Sequence, residues 1–205
     1  MFSRTLEDVT IEIFKVLNEL GIDYVIVGGI AVVSWGNIRT MRDVDVIISL
    51  DKKDVKRLVK ALSAHDFETS VEDVEAALNE RSYFTVFDEI SEYHMDAKGA
   101  YTAREKETLR RKRAVYLRNT PIYIASPEDT LINKLSFGSE QDIKDAEGIW
   151  VRQMGKLDTG YLEDSCRALR VREEFEEMKG RVEKYLEEIK EKERKGSKER
   201  DYSKN

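Results

Sequence analysis

Two aspartates, Asp43 and Asp45, stand one residue apart inside an apolar run that ends at Ile48. Side chains alternate between the two faces of a strand, so both carboxylates project to one side while Val44 and Val46 face a core. The two Cα atoms would lie roughly 6 to 7 Å apart, close enough for the carboxylates to share Mg²⁺ ions. Such a pair is typical of sites in which two metal ions activate an attacking oxygen and stabilise a leaving oxygen in phosphoryl chemistry.

A glycine pair, Gly28 and Gly29, precedes these aspartates and follows a short β-branched run at 24–27. The apolar residues 30–35 predict a helix after the pair, so the glycines would form a strand-to-helix turn. A turn without side chains at a helix N-terminus lets backbone N–H groups approach phosphates. Taken alone, each segment is also typical of an ordinary tight turn or a half-exposed strand. Their order predicts a phosphate-binding turn next to a metal-binding strand.

The elements that must position these residues follow from the apolar spacing along the chain. Helical spacing predicts helices at 6–20, 52–64 and 71–79. Short apolar runs predict strands at 24–27, 44–48, 82–87, 93–97, 114–117 and 122–124. Ser126 and Pro127 open a further helix, as N-cap and first-turn residue, and nearly everything after them is expected to be helical. We predict an α/β fold with a core at 1–125, a helical C-terminal part at 126–192 and a disordered charged tail at 193–205.

Composition limits the kind of protein. The chain has 205 residues and 40% hydrophobic content, enough for one good core. No apolar stretch reaches the roughly 20 residues that span a bilayer, and the N-terminus lacks the pattern of a secretory signal, so a cytoplasmic protein without a membrane partner is expected. One cysteine and two histidines do not supply a structural zinc site. A net charge of −6 disfavours bulk binding of nucleic acid and indicates recognition by a local site.

Four segments together resemble the nucleotidyltransferase superfamily, which includes DNA polymerase beta type enzymes, CCA-adding enzymes and aminoglycoside nucleotidyltransferases. They are VGGIAV, the pattern R-x-x-x-D-V-D-V, IASPEDTLINKL and QDIKDAEGI, and they lie within 22–149. The combination is most similar to the minimal prokaryotic branch that includes AbiEii-like toxins of type IV toxin–antitoxin systems. The resemblance implies a mixed β-sheet flanked by helices. It also implies transfer of an NMP group from a nucleoside triphosphate, such as ATP, with Mg²⁺ as cofactor.

The resemblance also implies roles for individual residues. Asp43 and Asp45 would be catalytic metal ligands, and the glycine turn would bind the triphosphate. A lysine and a following aspartate on later helices complete the site in this family, and they correspond to Lys134 and to Asp142 or Asp145. We favour Asp142 of the two, so the expected nucleotide-binding set is Gly28, Gly29, Lys134 and Asp142, with Arg39 as a nearby cation that would hold phosphate charge together with Lys134. Lys134 is also compatible with the solvated edge of an apolar helix.

A third carboxylate on a neighbouring strand is common in the superfamily, where it binds metal or acts as general base toward the acceptor hydroxyl. Asp96 is the candidate, because it lies between apolar residues as Asp43 and Asp45 do. Asp88 and Glu89 lie beside a turn and are expected to be exposed. His94 falls on the same strand face as Asp96, but a lone histidine is more often structural, so it is left out of the catalytic set.

Two departures from the family pattern leave alternatives open. Gly29 and Met41 occupy positions that often carry hydroxyl side chains in the superfamily, which favours a catalytically silent nucleotide-binding module, with an antitoxin-like partner, as a second hypothesis. A basic stretch at 104–118 favours an RNA-binding protein as a third, although a solvated helix and an edge strand would explain it equally well. The acceptor, whether a tRNA 3′ end, a protein or a small molecule, is left open.

Overall fold

The structure is a computed structural model that describes the backbone of residues 4–202 and the side chains of residues 4–192. The chain divides into two compact units, Met1–Thr130 and Leu131–Asn205. No helix within the described part of the chain combines the length and the hydropathy that crossing a membrane requires.

The first unit contains seven strands among its described residues, all in one mixed sheet. The strands are β1 (Asp23–Ile26), β2 (Asp43–Ser49), β3 (Phe67–Glu68), β4 (Tyr83–Asp88), β5 (His94–Gly99), β6 (Arg113–Leu117) and β7 (Thr120–Ile124). The helices are α1 (Leu6–Leu20), α2 (Gly28–Trp35), α3 (Val55–Ser63), α4 (Val71–Glu80), α5 (Ala103–Arg111) and the start of α6 (Pro127–Phe137). This mixed α/β architecture confirms the predicted fold class, and each strand predicted from the sequence is present.

Helix α1 shows how local sequence sets these elements. Thr5 caps its N-terminus in a reciprocal capping box with Asp8, and Gly21 ends it in the left-handed conformation at φ 64°. The apolar positions in between bury one face, with Phe14 stacked on Tyr24 of β1 at 4.5 Å between ring centroids. The helix therefore covers the sheet next to the strands that carry the site.

The strand order is β3-β4-β5-β2-β1-β7-β6, so β2 is the central strand. It runs antiparallel to β1 and parallel to β5. One end of the sheet consequently brings together the start of β2, the start of β5 and the end of β1. The aspartate pair and the glycine turn lie at this end of the strands.

The second unit is helical within its described residues. It contains the rest of α6, then α7 (Glu140–Arg152), α8 (Thr159–Ala168) and α9 (Arg172–Tyr202). Phe175 and Met178 on α9 are buried, and Trp150 of α7 meets Phe175 edge-on at 5.5 Å. The tail predicted to be disordered begins at 193. The backbone of α9 continues through it to Tyr202, while residues 203–205 lie outside the described part.

Candidate active site

Strand register brings the two predicted acidic segments side by side. In the parallel pair of β2 and β5, Asp45 lies beside Asp96 and Asp43 lies beside His94. These residues alternate with buried Val44 and with other apolar residues of the core, so their side chains share the opposite face of the sheet. The structure thus places the three predicted catalytic aspartates on one face of two neighbouring strands.

Asp96 is oriented by its other neighbour in the sheet. Thr85 of β4 lies beside it and donates a hydrogen bond of 2.7 Å from Oγ1 to Asp96 Oδ1. The second oxygen, Oδ2, lies 3.7 Å from His94 Nε2. Asp43, His94 and Asp96 each present one ligand atom, and these atoms all lie within 4.8 Å of one another. Carboxylate oxygens and an imidazole nitrogen form a donor set that fits a divalent metal ion.

The glycine turn is in direct contact with the aspartate pair. The backbone N–H of Val27 donates to the carbonyl oxygen of Asp45 at 2.8 Å. Gly28 has φ +59°, and a Cβ at this position would lie 1.9 Å from Asp45 Oδ2. Only glycine leaves room for this carboxylate and also adopts the backbone conformation without strain. The close approach explains why the chain has a glycine here.

Helix α2 begins at this turn and is anchored at its far end. Its N-cap residue, Val27, has no polar side chain, so it cannot occupy the backbone N–H groups of the first turn. Trp35 in the last turn donates a hydrogen bond of 2.7 Å from Nε1 to the carbonyl oxygen of Ala125, just after β7. The N-terminus of the helix, with its partial positive charge, therefore lies at the end of the sheet that carries the carboxylates.

Met41 occupies the space beside the second glycine. A Cβ on Gly29 would lie 2.7 Å from Met41 Sδ and 2.9 Å from its Cγ. The two departures from the family pattern are therefore one packing arrangement. A larger residue at 29 would require the Met41 side chain to shift or to be replaced by a smaller one.

Lys134 and its acidic neighbours lie in the second unit. Lys134 Nζ donates to Asp142 Oδ1 at 2.6 Å and lies 3.4 Å from Asp145 Oδ2, whose side chain is fully buried. Burial alone would raise the pKa of Asp142, but hydrogen bonds from Lys134 and Ser139 outweigh it and hold that pKa below its ordinary value. The predicted lysine and both predicted aspartates thus form one ion-pair cluster on α6 and α7.

Three further residues, Arg39, Asp88 and His94, lie in different settings. Arg39 lies in the segment between α2 and β2, four residues before Asp43. The expected exposure of Asp88 is wrong, because its carboxylate is buried and accepts a hydrogen bond of 2.5 Å from Arg4 Nη1. Sequence reasoning left out His94, although the alternation along His94–Gly99 already placed it on the face of Asp96.

The basic stretch at 104–118 forms α5 and the edge strand β6, as its structural alternative predicts. Among its described residues, five of the seven cations form ion pairs with carboxylates. They are Arg104 and Arg111 with the acidic start of α6, Arg110 with Glu107, Lys112 with Asp23, and Arg118 with Glu7 and Asp8. Most of this charge is therefore neutralised within the protein and is less available to a polyanion.

Comparison with solved structures supports the fold. The chain is similar to an antigenic nucleotidyltransferase-like protein from Paracoccidioides brasiliensis, with 16% identity, a TM-score of 0.54, and coverage of 86% of this chain and 93% of that one. It is also similar to ANT(2″)-Ia in complex with adenylyl-2″-tobramycin, with 14% identity, a TM-score of 0.53, and coverage of 82% and 99%. At these identities the likeness concerns the fold alone.

Comparison by sequence gives the family. No curated protein matches the chain significantly. A family model described as "Nucleotidyltransferase of unknown function (DUF6036)" matches residues 4–192. Because this match covers nearly the whole chain, and because one face of the sheet carries Asp43, Asp45 and Asp96 (the acidic face) beside the glycine turn, the protein belongs to this nucleotidyltransferase family.

Proposed function

We propose that the protein is a metal-dependent nucleotidyltransferase that moves an NMP group from a nucleoside triphosphate to a hydroxyl acceptor. The observation that supports this most is the register that aligns Asp45 with Asp96 while Gly28 contacts the Asp45 carboxylate. The same end of the sheet therefore offers oxygen ligands for a metal ion and backbone N–H groups for phosphate. Few other chemistries need both within a few ångströms.

In this proposal each residue has a defined part. Asp43, Asp45 and Asp96 would hold the divalent metal, which the family resemblance implies to be two Mg²⁺ ions, and the bound metal would supply charge neutralisation at the phosphates. Gly28 and Gly29 bind the triphosphate through their backbone.

The acceptor oxygen bonds to the α-phosphorus, and the bond from that phosphorus to the oxygen bridging to the β-phosphate breaks, releasing pyrophosphate. The hydroxyl proton passes to a base. Asp96 is the candidate for this base, or it completes the metal site. The hydrogen bond from Thr85 to Oδ1 fixes the orientation of this carboxylate, and its Oδ2 lies 3.7 Å from His94 Nε2.

Arg39 and Lys134 are proposed to hold phosphate charge, with Asp142 orienting the lysine. The structural alternative for Lys134 is an ion pair that only stabilises the second unit. A variant Lys134→Met separates the two: a phosphate contact predicts weaker nucleotide binding in the folded protein, whereas a structural role predicts lower stability and unchanged binding.

The acceptor class is also part of the proposal. The resemblance to AbiEii-like toxins favours a tRNA or protein acceptor and an antitoxin-like partner. ANT(2″)-Ia is solved with an adenylylated antibiotic, which keeps a small-molecule acceptor under test.

A second candidate is a catalytically silent nucleotide-binding module. The packing of Met41 over Gly29 favours it, since neither position supplies a hydroxyl to phosphate or metal. Retained nucleotide binding without release of pyrophosphate would support this candidate. The RNA-binding alternative is weakened by the ion pairs of the basic stretch.

The test uses the four α-labelled nucleoside triphosphates, Mg²⁺ and an extract of the native host divided into RNA, protein and small-molecule fractions. Wild type is compared with Asp43→Asn and with the matched control Asp51→Asn, a solvent-exposed aspartate after β2 that pairs only with a surface lysine among the described contacts. The proposal predicts label in one fraction with wild type and control and none with Asp43→Asn. Binding of nucleotide without any transfer would favour the silent module.

A further inference from the structure

His94 lies within the acidic face but is not one of the carboxylates that the family resemblance implies. It starts β5 beside Asp43, and its ligand nitrogen lies within 4.8 Å of ligand oxygens from Asp43 and Asp96. The side chain is 29% exposed, so solvent and ions reach it. His94 is therefore not a core residue, and its nitrogen lies close enough to these oxygens to contact the same ion.

The ring of His94 is held in place by its neighbours. Phe87 lies beside it in the β4–β5 pair, with ring centroids 5.9 Å apart. Nε2 lies 3.7 Å from Asp96 Oδ2, while Thr85 fixes the other oxygen of that carboxylate. An aromatic wall on one side and an oriented carboxylate on the other keep the imidazole directed at the shared face.

The ligand type determines which ion such a site prefers. Mg²⁺ takes oxygen ligands in a near-ideal octahedron and gives up water reluctantly. First-row transition-metal ions accept an imidazole nitrogen together with carboxylates, and a neutral histidine is among their commonest protein ligands. A ligand set of two carboxylates and one imidazole therefore discriminates between the two classes of ion in a way that a set of three carboxylates does not.

We propose that His94, with Asp43 and Asp96, forms a mixed nitrogen–oxygen site that binds a divalent first-row transition-metal ion in preference to Mg²⁺. This inference rests on the proposed function, since the same carboxylates hold the metal there. The inference differs from the proposed function in the metal ion, which is a transition-metal ion rather than Mg²⁺. His94 acts here as a specificity-determining ligand.

The test is metal binding by the full chain, with Mn²⁺ as the probe and Mg²⁺ as competitor. Loss of the free Mn²⁺ signal in electron paramagnetic resonance gives affinity, and pulsed spectra detect a coordinated imidazole nitrogen. The variants are His94→Asn, the matched control His65→Asn, whose histidine also lies near a carboxylate, that of Glu12, and Asp43→Asn. Circular dichroism verifies folding.

We expect wild type to show nitrogen coupling and to prefer Mn²⁺ by at least about tenfold. His94→Asn should remove the coupling and weaken Mn²⁺ binding by about tenfold or more, while Mg²⁺ affinity changes by less than about threefold. His65→Asn should behave as wild type. Should His94→Asn fail to fold, the nitrogen coupling of wild type still decides the question.

Two results would overturn the inference, and they have different meanings. If both ions bind and depend on Asp43, but wild type shows no nitrogen coupling or the Mn²⁺ preference is independent of His94, the role of His94 is wrong and the proposed function stands. If neither ion binds, or if binding survives Asp43→Asn, the metal site of the proposed function fails as well.

Discussion

Replacing Gly28 by alanine tests the contact between the glycine turn and the aspartate pair. A residue with a Cβ at φ +59° costs about 1 to 2 kcal/mol in conformational strain. The added carbon would also lie 1.9 Å from Asp45 Oδ2 and 2.7 Å from its Cγ, well inside van der Waals contact. Displacing a packed group typically costs about 1 to 3 kcal/mol more. We therefore expect Gly28→Ala to lower the free energy of unfolding by about 2 to 5 kcal/mol.

Urea unfolding followed by circular dichroism measures this loss, and Gly21→Ala is the matched control. Gly21 has nearly the same φ, +64°, but nothing lies within 4 Å of its Cβ position. It should therefore show only the conformational cost of about 1 to 2 kcal/mol. Metal binding gives a second measurement, because Gly28→Ala must displace the Asp45 carboxylate whereas Gly21→Ala leaves the site unchanged.

A double-mutant cycle with Asp45→Ala assigns the extra cost. Removing the carboxylate leaves only the Asp45 Cβ, at 3.0 Å from the new carbon, so much of the overlap disappears. The two substitutions should then couple by about 1 kcal/mol or more. A cost of Gly28→Ala no larger than that of Gly21→Ala, or a cost that is unchanged in the Asp45→Ala background, would refute a steric contact between residue 28 and the Asp45 carboxylate.

Three further predictions concern packing and charge, each measured by urea unfolding. Gly29→Ser should destabilise the protein by about 1 to 3 kcal/mol, and adding Met41→Thr should restore most of the loss; an equal loss in both would contradict the packing described. Arg4→Ala should cost about 3 kcal/mol or more because it leaves the buried carboxylate of Asp88 without its cationic partner and with only the hydrogen bond from Ser91, and a loss below about 1 kcal/mol would exclude this. Because the pKa of Asp142 is lowered in the folded protein, its charged form stabilises the fold at pH values above the ordinary pKa of 3.8, and this stabilisation is lost as the pH falls through the folded-state pKa. Wild type should therefore lose its stability advantage over Asp142→Asn in acid. A stability difference that does not change with pH would contradict this.

The elements of the fold could largely be predicted because their signals are local. The apolar period of α1, its capping residues and the β-branched runs of β1 and β2 all lie within a few residues of one another. The two-residue strand β3 has no such signal. It exists because Phe67 pairs with Asp88 of β4, and a pairing partner 21 positions away leaves no trace in the local pattern.

The site could be predicted in part for the same reason. Alternation along the strand placed Asp43 and Asp45 on one face, and the apolar flanks of Asp96 indicated a third acid. Their contact depends on the parallel register of β2 and β5, which local sequence does not specify. The exposure expected for Asp88 is wrong for a similar reason. A polar residue at a turn is usually solvated, but the fold brings Arg4, 84 positions away, to pair with the Asp88 carboxylate.

We propose above all that the acidic face beside the glycine turn binds a nucleoside triphosphate together with a divalent metal ion. Isothermal titration of each nucleoside triphosphate, with and without divalent metal, tests it in wild type, Asp45→Asn and the exposed control Asp51→Asn. We expect binding that requires the metal, is weakened at least about tenfold by Asp45→Asn and is unchanged by Asp51→Asn. Nucleotide binding that is independent of metal, or equally strong in Asp45→Asn, would contradict the account.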